Sequence, residues 1–309
     1  MTAPRRVLVT GLSGFVGRHV AAIFRELLPD TGLLPLGCDV ADGQAVRRAV
    51  RDARPDGVLH LAAVSAIPLA QKEPDRAWAV NLHGTLNLAR AVLEEAPGAP
   101  FLFASSADAY GASFRSGVAL GEDAPLAPLN IYGATKAAAD LALGAMAASD
   151  GLRAIRLRPF NHTGAGQSDG FAVPAFAAQL AAIGAGNREP VLRIGNLDAS
   201  RDFLDVRDVA RAYALCFRHA DRLAPGTMIN LCSGSPRRIG DVLDALIRLS
   251  GLRPRIETDP ARLRPSDIPM ARGDASRAQA LLGWTPEIGW DDTLRAVLAD
   301  WRDRTATGG

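Results

Sequence analysis

The chain has 309 residues, 48% of them hydrophobic and 22% charged, with a formal net charge of +2. That length and apolar content support one large α/β domain or two unequal ones. The near-neutral balance is spread along the whole chain, so no basic tract invites nucleic acid and no polybasic patch invites a membrane surface.

The first half alternates short β-branched runs with longer helical patterns. Strands are predicted at Arg6–Thr10, Leu33–Leu36, Val58–Leu61, Phe101–Ser105 and Ala154–Arg158. Helices fill the gaps at Phe15–Leu28, Gln44–Ala53, Pro74–Ala96 with its proline in the first turn, and Ile131–Ala148. That alternation belongs to a doubly wound parallel sheet covered on both faces. After Phe160 the pattern loosens. A helix at Phe171–Ala185 precedes short strands at Val191–Gly195 and Ile229–Leu231, with further helices at Val206–His219, Ile239–Ser250, Ser276–Leu282 and Asp291–Arg304. We therefore expect a dinucleotide-binding domain over residues 1–160 and, over 161–309, a smaller α/β substrate-binding lobe. Some segments of the second half should return to the first domain. The lobe should face the carboxyl ends of the strands, where such sheets bind ligands.

Val7-Leu8-Val9-Thr10 runs into Gly11-Leu12-Ser13-Gly14-Phe15-Val16-Gly17 and then a helix. A glycine turn between a strand and a helix N-terminus lets backbone N–H groups and the helix dipole hold a pyrophosphate. The spacing is GxxGxxG, one residue longer than the common GxGxxG turn. Asp39 lies about where an acidic partner for the adenosine ribose is expected, some 20 residues past the last glycine. The loop before it is short, so Asp39-Val40 alternatively edges the adenine ring. Arg18 either offers charge to a 2′-phosphate or is simply solvated, and NADPH and NADH both fit.

Lys72 and Lys136 are the only lysines among 35 basic residues, so this chain uses arginine for generic positive charge. Lys136 stands four residues after Tyr132 in Tyr132-Gly133-Ala134-Thr135-Lys136, a spacing that puts both side chains on one helix face. An ammonium beside a phenol is expected to lower the phenol's pKa toward the range of a working acid or base.

The remaining signals are mostly negative. Cys38, Cys216 and Cys232 are odd in number, far apart and set among apolar residues, as buried thiols of a reducing cytosol are. No histidine sits in an HExxH or CxxC context, so no metal is expected. No apolar run reaches a membrane span of about 20 residues. Met1–Arg6 leads straight into a strand with no signal peptide, which points to a cytoplasmic protein.

The Gly11–Gly17 loop, Leu61-Ala62-Ala63, Asn81, Ser105-Ser106-Ala107-Asp108-Ala109-Tyr110-Gly111 and Tyr132…Lys136 together resemble the extended short-chain dehydrogenase/reductase family, the NAD-dependent epimerase/dehydratases. The resemblance spans about residues 6 to 300 and implies a modified Rossmann fold. Three later segments resemble its GDP-mannose branch: Arg158-Pro159-Phe160-Asn161-His162, Gly195-Asn196-Leu197-Asp198-Ala199-Ser200-Arg201-Asp202-Phe203 and Leu263-Arg264-Pro265-Ser266-Asp267. That likeness implies reduction of a GDP-linked 4-keto-6-deoxy sugar by NADPH or NADH. A dehydratase or 4-epimerase that recycles its cofactor is the alternative. A non-catalytic NAD(P) sensor would be expected to lack Tyr132 or Lys136.

Carried over residue by residue, the resemblance makes Tyr132 the acid/base and Lys136 the holder of the nicotinamide ribose. Ser106 becomes the hydroxyl that binds the substrate oxygen, unless it merely caps a turn. Gly11, Ser13, Gly14, Phe15, Val16, Leu61, Ala62, Ala63 and Asn81 join Asp39 and Val40 around the cofactor. Asp108 stands near the place where related dehydratases carry a glutamate base, one methylene longer; the shorter side chain weakens that reading, and a turn-capping role competes with it. Arg201 and Arg264 resemble the arginines that grip the substrate pyrophosphate, a task suited to guanidinium forks. Asp267 resembles the acceptor for the nucleotide ribose, and Asn161 the amide near sugar or phosphate. Phe171 and Val173 line the base pocket or belong to the core. Family members pair through the helix carrying Tyr132, and the run of small residues there (Ala137, Ala138, Ala139, Ala142, Gly144, Ala145) would permit a homodimer.

Overall fold

The computed structural model describes residues 3–260 and 268–307. The chain begins β1 (Arg6–Thr10), α1 (Phe15–Leu27), β2 (Gly32–Pro35), α2 (Gly43–Ala53), β3 (Gly57–His60), α3 (Ile67–Lys72) and α4 (Pro74–Trp78). It continues α5 (Thr85–Glu95), β4 (Phe101–Ala104), α6 (Ile131–Ser149), β5 (Ala154–Pro159), β6 (Asn161–Thr163), α7 (Ala172–Gly184) and β7 (Val191–Ile194). There follow β8 (Ser200–Asp205), α8 (Val206–Arg218), β9 (Thr227–Leu231), β10 (Pro236–Arg238), α9 (Ile239–Ser250), β11 (Arg255–Thr258), β12 (Met270–Ala271), α10 (Ser276–Leu282) and α11 (Trp290–Thr307).

Six parallel strands form the central sheet in the order β2-β1-β3-β4-β5-β9. Strand alternation explains why both faces are apolar. Val7, Val9, Leu59, Leu102, Ile155 and Leu157 enter one core with Val20 and Phe24 of α1 and Tyr213 and Phe217 of α8. Leu8, Val58, Phe101 and Phe103 enter the other, with Val46 and Val50 of α2, Leu88 and Val92 of α5, and Ala139 and Leu143 of α6. The sheet is the doubly wound one expected. Strand order reverses at β1, between β2 and β3, and the crevice there opens beyond the carboxyl ends of the strands.

A four-stranded sheet lies beyond it, with β8 between antiparallel β10 and parallel β12 and with β6 also paired to β8. A β7–β11 pair stands apart. Helices α7, α9 and α11 share a third core built on Phe176, Leu180, Leu243, Leu246, Leu294 and Val297.

One helix departs from its predicted form. Instead of running from Pro74 to Ala96, the backbone breaks between α4 and α5 into a π-helical stretch at Ala79–Gly84. A Cβ on Gly84 would come within 2.6 Å of a Val40 methyl, so glycine permits the close approach of this segment to the loop after β2. The wider turn aims Asn81 inward. Such π-turns often occur where a function needs one side chain re-aimed.

Helix α6, which carries Tyr132 and Lys136, is anchored by a buried ion cluster. Asp140, on the face of Tyr132 and Lys136 two turns further on, is fully buried. It accepts from Arg158 Nε at 3.0 Å and Nη2 at 2.8 Å, and from Arg156 Nη1 at 3.0 Å. Arg158 also donates to the Tyr110 hydroxyl at 2.9 Å and to the Glu122 carbonyl at 2.8 Å. Burial alone would raise the Asp140 carboxyl; the bond and charge of Arg158, then the charge of Arg156, outweigh it and hold the group below the usual carboxylate range. Asp140→Ala leaves two buried guanidiniums short of an anion and should destabilise the fold by about 3–5 kcal/mol in denaturant unfolding at neutral pH. Because the folded pKa is depressed, that difference from wild type should shrink as pH falls through it.

Candidate active site

The glycine loop closes on itself before α1 starts. Gly14 N–H donates to the Gly11 carbonyl at 3.0 Å, and Gly11 takes φ +73°, a left-handed conformation that favours glycine. A Cβ on Gly17 would collide with the Gly11 and Leu12 carbonyls, so this glycine lets the loop lie flat on the helix. The resulting N-terminus, with no side chain capping it, faces a cavity of about 380 Å³. Gly11, Gly14, Phe15, Val16, Leu61, Ala62 and Ala63 line it on the loop side. Backbone donors and a helix dipole suit the pyrophosphate of a dinucleotide.

Ser13, Asp39 and Val40 line an adjoining groove with Cys38 and Arg76. Asp39 Oδ1 accepts from Ala41 N–H at 2.9 Å, which shapes the loop. Cys38 is half-buried there, whereas Cys216 and Cys232 are buried as expected. Arg18 reaches no part of this groove. It donates to the Ser13 carbonyl at 2.9 Å and the Gly166 carbonyl at 3.0 Å, so this exposed side chain clamps the glycine loop to the loop after β6.

Ser106, Asp108, Tyr132 and Lys136 meet on the opposite wall of the cavity. Ser106 lies two residues beyond β4, where its hydroxyl accepts from Asp108 N–H at 3.1 Å, and it lines the cavity together with Tyr132. It both caps the turn and faces the cavity. The cap of that turn is Ser106, not Asp108. The Tyr132 phenol is pushed well above its ordinary value by burial first and the Asp108 charge second, with the Ser106 hydroxyl opposing. The sequence led us to expect the reverse, a phenol lowered by Lys136. Burial pulls Lys136 itself down to about 7 against the opposing charge of Asp140, so at neutral pH its own charge is only partly present. Its nitrogen stands 4.3 Å above the centre of the Phe103 ring.

Asp108 is raised by burial, opposed first by Arg201 and then by the Ser106 bond. Arg201 therefore sits near the Asp108 carboxylate as well as on the wall of a second cavity. It donates to the Ser200 carbonyl at 2.7 Å and the Ile268 carbonyl at 3.1 Å. Asn161, Phe171 and Val173 line this second cavity. Val173 is also part of the α7 core, while Phe171 remains 38% exposed. Arg264 and Asp267 lie outside the described residues.

Asn81 is the misplaced expectation. It is buried behind the cavity wall and lines none of the three cavities. Its Oδ1 accepts from Val64 N–H at 2.8 Å, and its Nδ2 donates to the Val64 carbonyl at 3.1 Å and to Thr135 Oγ1 at 2.9 Å. Thr135 in turn donates to the Tyr132 carbonyl at 2.8 Å. On its other side, the Asn81 carbonyl accepts from Thr85, 2.9 Å from His60 Nε2, and His60 Nδ1 is 2.6 Å from Thr10 Oγ1. Thr85 has spent its proton on Asn81, so His60 carries hydrogen on Nε2 and receives Thr10's on Nδ1. Burial and, secondarily, Lys136 push His60 down to about 3, which keeps it neutral. Asn81 thus braces the cofactor-side loop against α6 from behind.

Among residues not singled out in the sequence, His162, Gln167 and Tyr213 line the first cavity, and Arg193, Asn196 and Asp259 the second. Only His162 and Asn196 fall inside quoted motifs. Among the described residues no cluster of three or more His, Cys, Asp or Glu could hold a metal ion, and no helix is long and apolar enough to cross a membrane.

A pyrophosphate cradle at the switch point of a parallel sheet, facing a Ser–Tyr–Lys set, defines an NAD(P)-dependent enzyme of the short-chain dehydrogenase/reductase type. Comparison with known proteins agrees. Residues 30–297 match the GDP-mannose 4,6-dehydratase family, and the chain belongs to it. It is 35% identical to GDP-6-deoxy-D-mannose reductase of Pseudomonas aeruginosa over 97% of this chain and 98% of that protein. The structure of RMD from Pseudomonas aeruginosa complexed with NADPH superposes with a TM-score of 0.89 at 34% identity, covering 97% of this chain and 99% of that one. The Thermus thermophilus UDP-glucose 4-epimerase complex with NAD gives 0.82 at 28% identity, covering 96% and 99%.

Because Lys72 and Lys136 are the only lysines, protein labelled with ¹³C at lysine Cε should give two resonances. The one lost in Lys136→Arg should titrate at about 7 in the free protein. A midpoint near the ordinary lysine value of about 10.4 would show that burial does not govern this group.

Proposed function

We propose that this protein reduces the 4-keto group of GDP-4-dehydro-6-deoxy-D-mannose with NADPH or NADH, giving GDP-D-rhamnose (GDP-6-deoxy-D-mannose). The product would serve polysaccharide or lipopolysaccharide assembly in the cytoplasm. The observation that carries the reading is that Ser106, Tyr132 and Lys136 line one cavity together with the glycine loop. When bound, the reduced nicotinamide supplies a hydride to C4. Charge then gathers on the ketone oxygen, where Ser106 donates a hydrogen bond and Tyr132 delivers a proton. A phenol held above its ordinary pKa keeps that proton at working pH, as a reduction requires. Lys136 holds the ribose and offsets the phenolate left behind.

Asp108 favours reduction over 4,6-dehydration. A dehydratase needs a carboxylate base that reaches C5, and here the side chain is one methylene shorter and burial, opposed by the Arg201 charge, raises its pKa. The substrate's pyrophosphate would lie toward Arg201 and its nucleotide in the second cavity, near Phe171.

GDP-4-dehydro-6-deoxy-D-mannose should drive stoichiometric loss of NAD(P)H absorbance, whereas GDP-mannose with NAD(P)⁺ should yield little ketone. Tyr132→Phe should cut turnover by at least about 10²-fold with cofactor affinity barely changed. Near-normal turnover in that variant would refute the acid assignment. Rapid conversion of GDP-mannose to the ketone, without reduction of it, would favour the dehydratase.

We infer also a homodimer formed through α6. Of the small residues noted in the sequence, Ala137 and Ala139 are buried within the chain, whereas Ala138, Ala142 and Ala145 run with Ala134 and Leu141 along one side of that helix, none of them buried, and Leu141 is 60% exposed. A strip of small residues around one large apolar side chain allows close helix–helix approach. Light scattering should report a dimer at micromolar concentration and a shift toward monomer in Leu141→Glu. A monomeric wild type would count against the pairing.

A further inference from the structure

Tyr213 takes no part in the chemistry above. It belongs to α8, is 1% exposed, and packs in the core that α1 and α8 share with the central sheet. It also lines the first cavity. Val16, Leu61 and Ala104 do both as well, so this is where the cavity wall passes into that core. Val16 belongs to the Gly11–Gly17 segment, and Ala104 stands two residues before Ser106. The patch thus bridges the pyrophosphate cradle and the wall of Ser106, Tyr132 and Lys136. Apart from Tyr213, its side chains are hydrocarbon.

A buried phenol ordinarily finds a hydrogen-bond partner, because leaving the group unpaired costs free energy. Among the described residues nothing bonds the Tyr213 hydroxyl. Nor is its oxygen sealed away. The enclosed side-chain atoms without partners are Ser105 Oγ, Arg237 Nε and Trp301 Nε1, and the Tyr213 hydroxyl is not one of them. The little surface this residue keeps therefore includes its hydroxyl, which opens on the cavity. Burial pushes the phenol above its ordinary pKa, with Cys216 and then Tyr132 adding to the shift, so the group keeps its proton. A neutral phenol with an unused hydrogen suits an acceptor oxygen. The stretch of a dinucleotide between its cradle and its reacting end carries two kinds: the oxygens of the pyrophosphate and the carbonyl of the nicotinamide carboxamide.

We propose that the Tyr213 hydroxyl donates a hydrogen bond to an acceptor oxygen of the bound dinucleotide, on the apolar patch formed with Val16, Leu61 and Ala104. Tyr213 is then a cofactor-binding residue supplied by α8, outside the glycine loop and outside the Ser–Tyr–Lys set. The inference rests on the dinucleotide reading of the first cavity, and not on the direction of the reaction.

Tyr213→Phe removes one oxygen and keeps the ring in its core. Calorimetric titration of the full-length protein would use NADPH, 2′-phospho-ADP-ribose (which has the pyrophosphate but no nicotinamide) and GDP-mannose. NADPH should bind the variant about tenfold more weakly, the usual effect of one lost hydrogen bond, with GDP-mannose unchanged. An equal loss for 2′-phospho-ADP-ribose assigns the acceptor to the pyrophosphate, and a loss confined to NADPH assigns it to the carboxamide. Unchanged NADPH affinity would overturn the proposal. So would a matching loss for GDP-mannose with a lowered unfolding temperature, which would mark a disturbed core in place of a lost cofactor contact. These are binding measurements, so a protein that bound NADPH and reduced no ketone would lose the reductase reading and leave this result standing.

Discussion

The site depends first on a charge that never touches substrate. Asp140 ties α6 to β5 through Arg156 and Arg158, and Tyr132 and Lys136 ride on the same helix face. A phenol must sit within a fraction of an ångström of its target to transfer a proton in the transition state. A helix held by apolar contacts alone could slide along its packing face. Directional bonds from two guanidiniums to one carboxylate forbid that movement. Arg158 carries the restraint on to Tyr110, whose hydroxyl donates to Asn230 of β9 at 2.8 Å, so three neighbouring elements share one register.

A second restraint works from the other side of the wall. The chain from Thr10 through His60, Thr85, Asn81 and Thr135 to the Tyr132 backbone joins the strand feeding the glycine loop to the N-terminal turn of α6. Every member is satisfied, and the histidine is neutral, so the chain adds geometry without adding charge behind Lys136. The glycine loop and Tyr132 are thereby built on a common frame. Arg18 makes the matching connection at the far end, where it spans the glycine loop and the loop that follows β6.

What could be read from the sequence was what is local. The glycine spacing, the i, i+4 pair of Tyr132 and Lys136, and the alternation of strand and helix each lie within a few residues, and the described structure carries the parallel sheet they foretold. Features built by tertiary contact were not legible. The π-turn at Ala79–Gly84 arises from the approach of Gly84 to Val40, about forty positions away. Without that turn Asn81 looks like any polar residue near a cofactor. Strands β6, β10 and β12 are only two or three residues long, and β8 (Ser200–Asp205) has no alternation of polar and apolar residues, so none shows a period of two long enough to detect. Nor could spacing show that Lys136 sits too deeply buried to hold a full charge, because desolvation belongs to the assembled core.

The same distinction separates the two carboxylates of the site. Asp140 and Asp108 are both shielded from solvent, but their partners differ in kind. Asp140 has two guanidiniums bonded directly to it, and its pKa falls. Asp108 has Arg201 and a serine hydroxyl, which do not overcome burial, and its pKa rises. One is a fixed anion that serves as a structural pin. The other is a charge whose strength depends on how closely Arg201 attends to it, and that charge acts on Tyr132. An anionic ligand in the second cavity would compete for the same guanidinium, since Arg201 lines that cavity. Drawing Arg201 away would remove a force that lowers Asp108 and would favour its protonation. A protonated Asp108 no longer raises Tyr132.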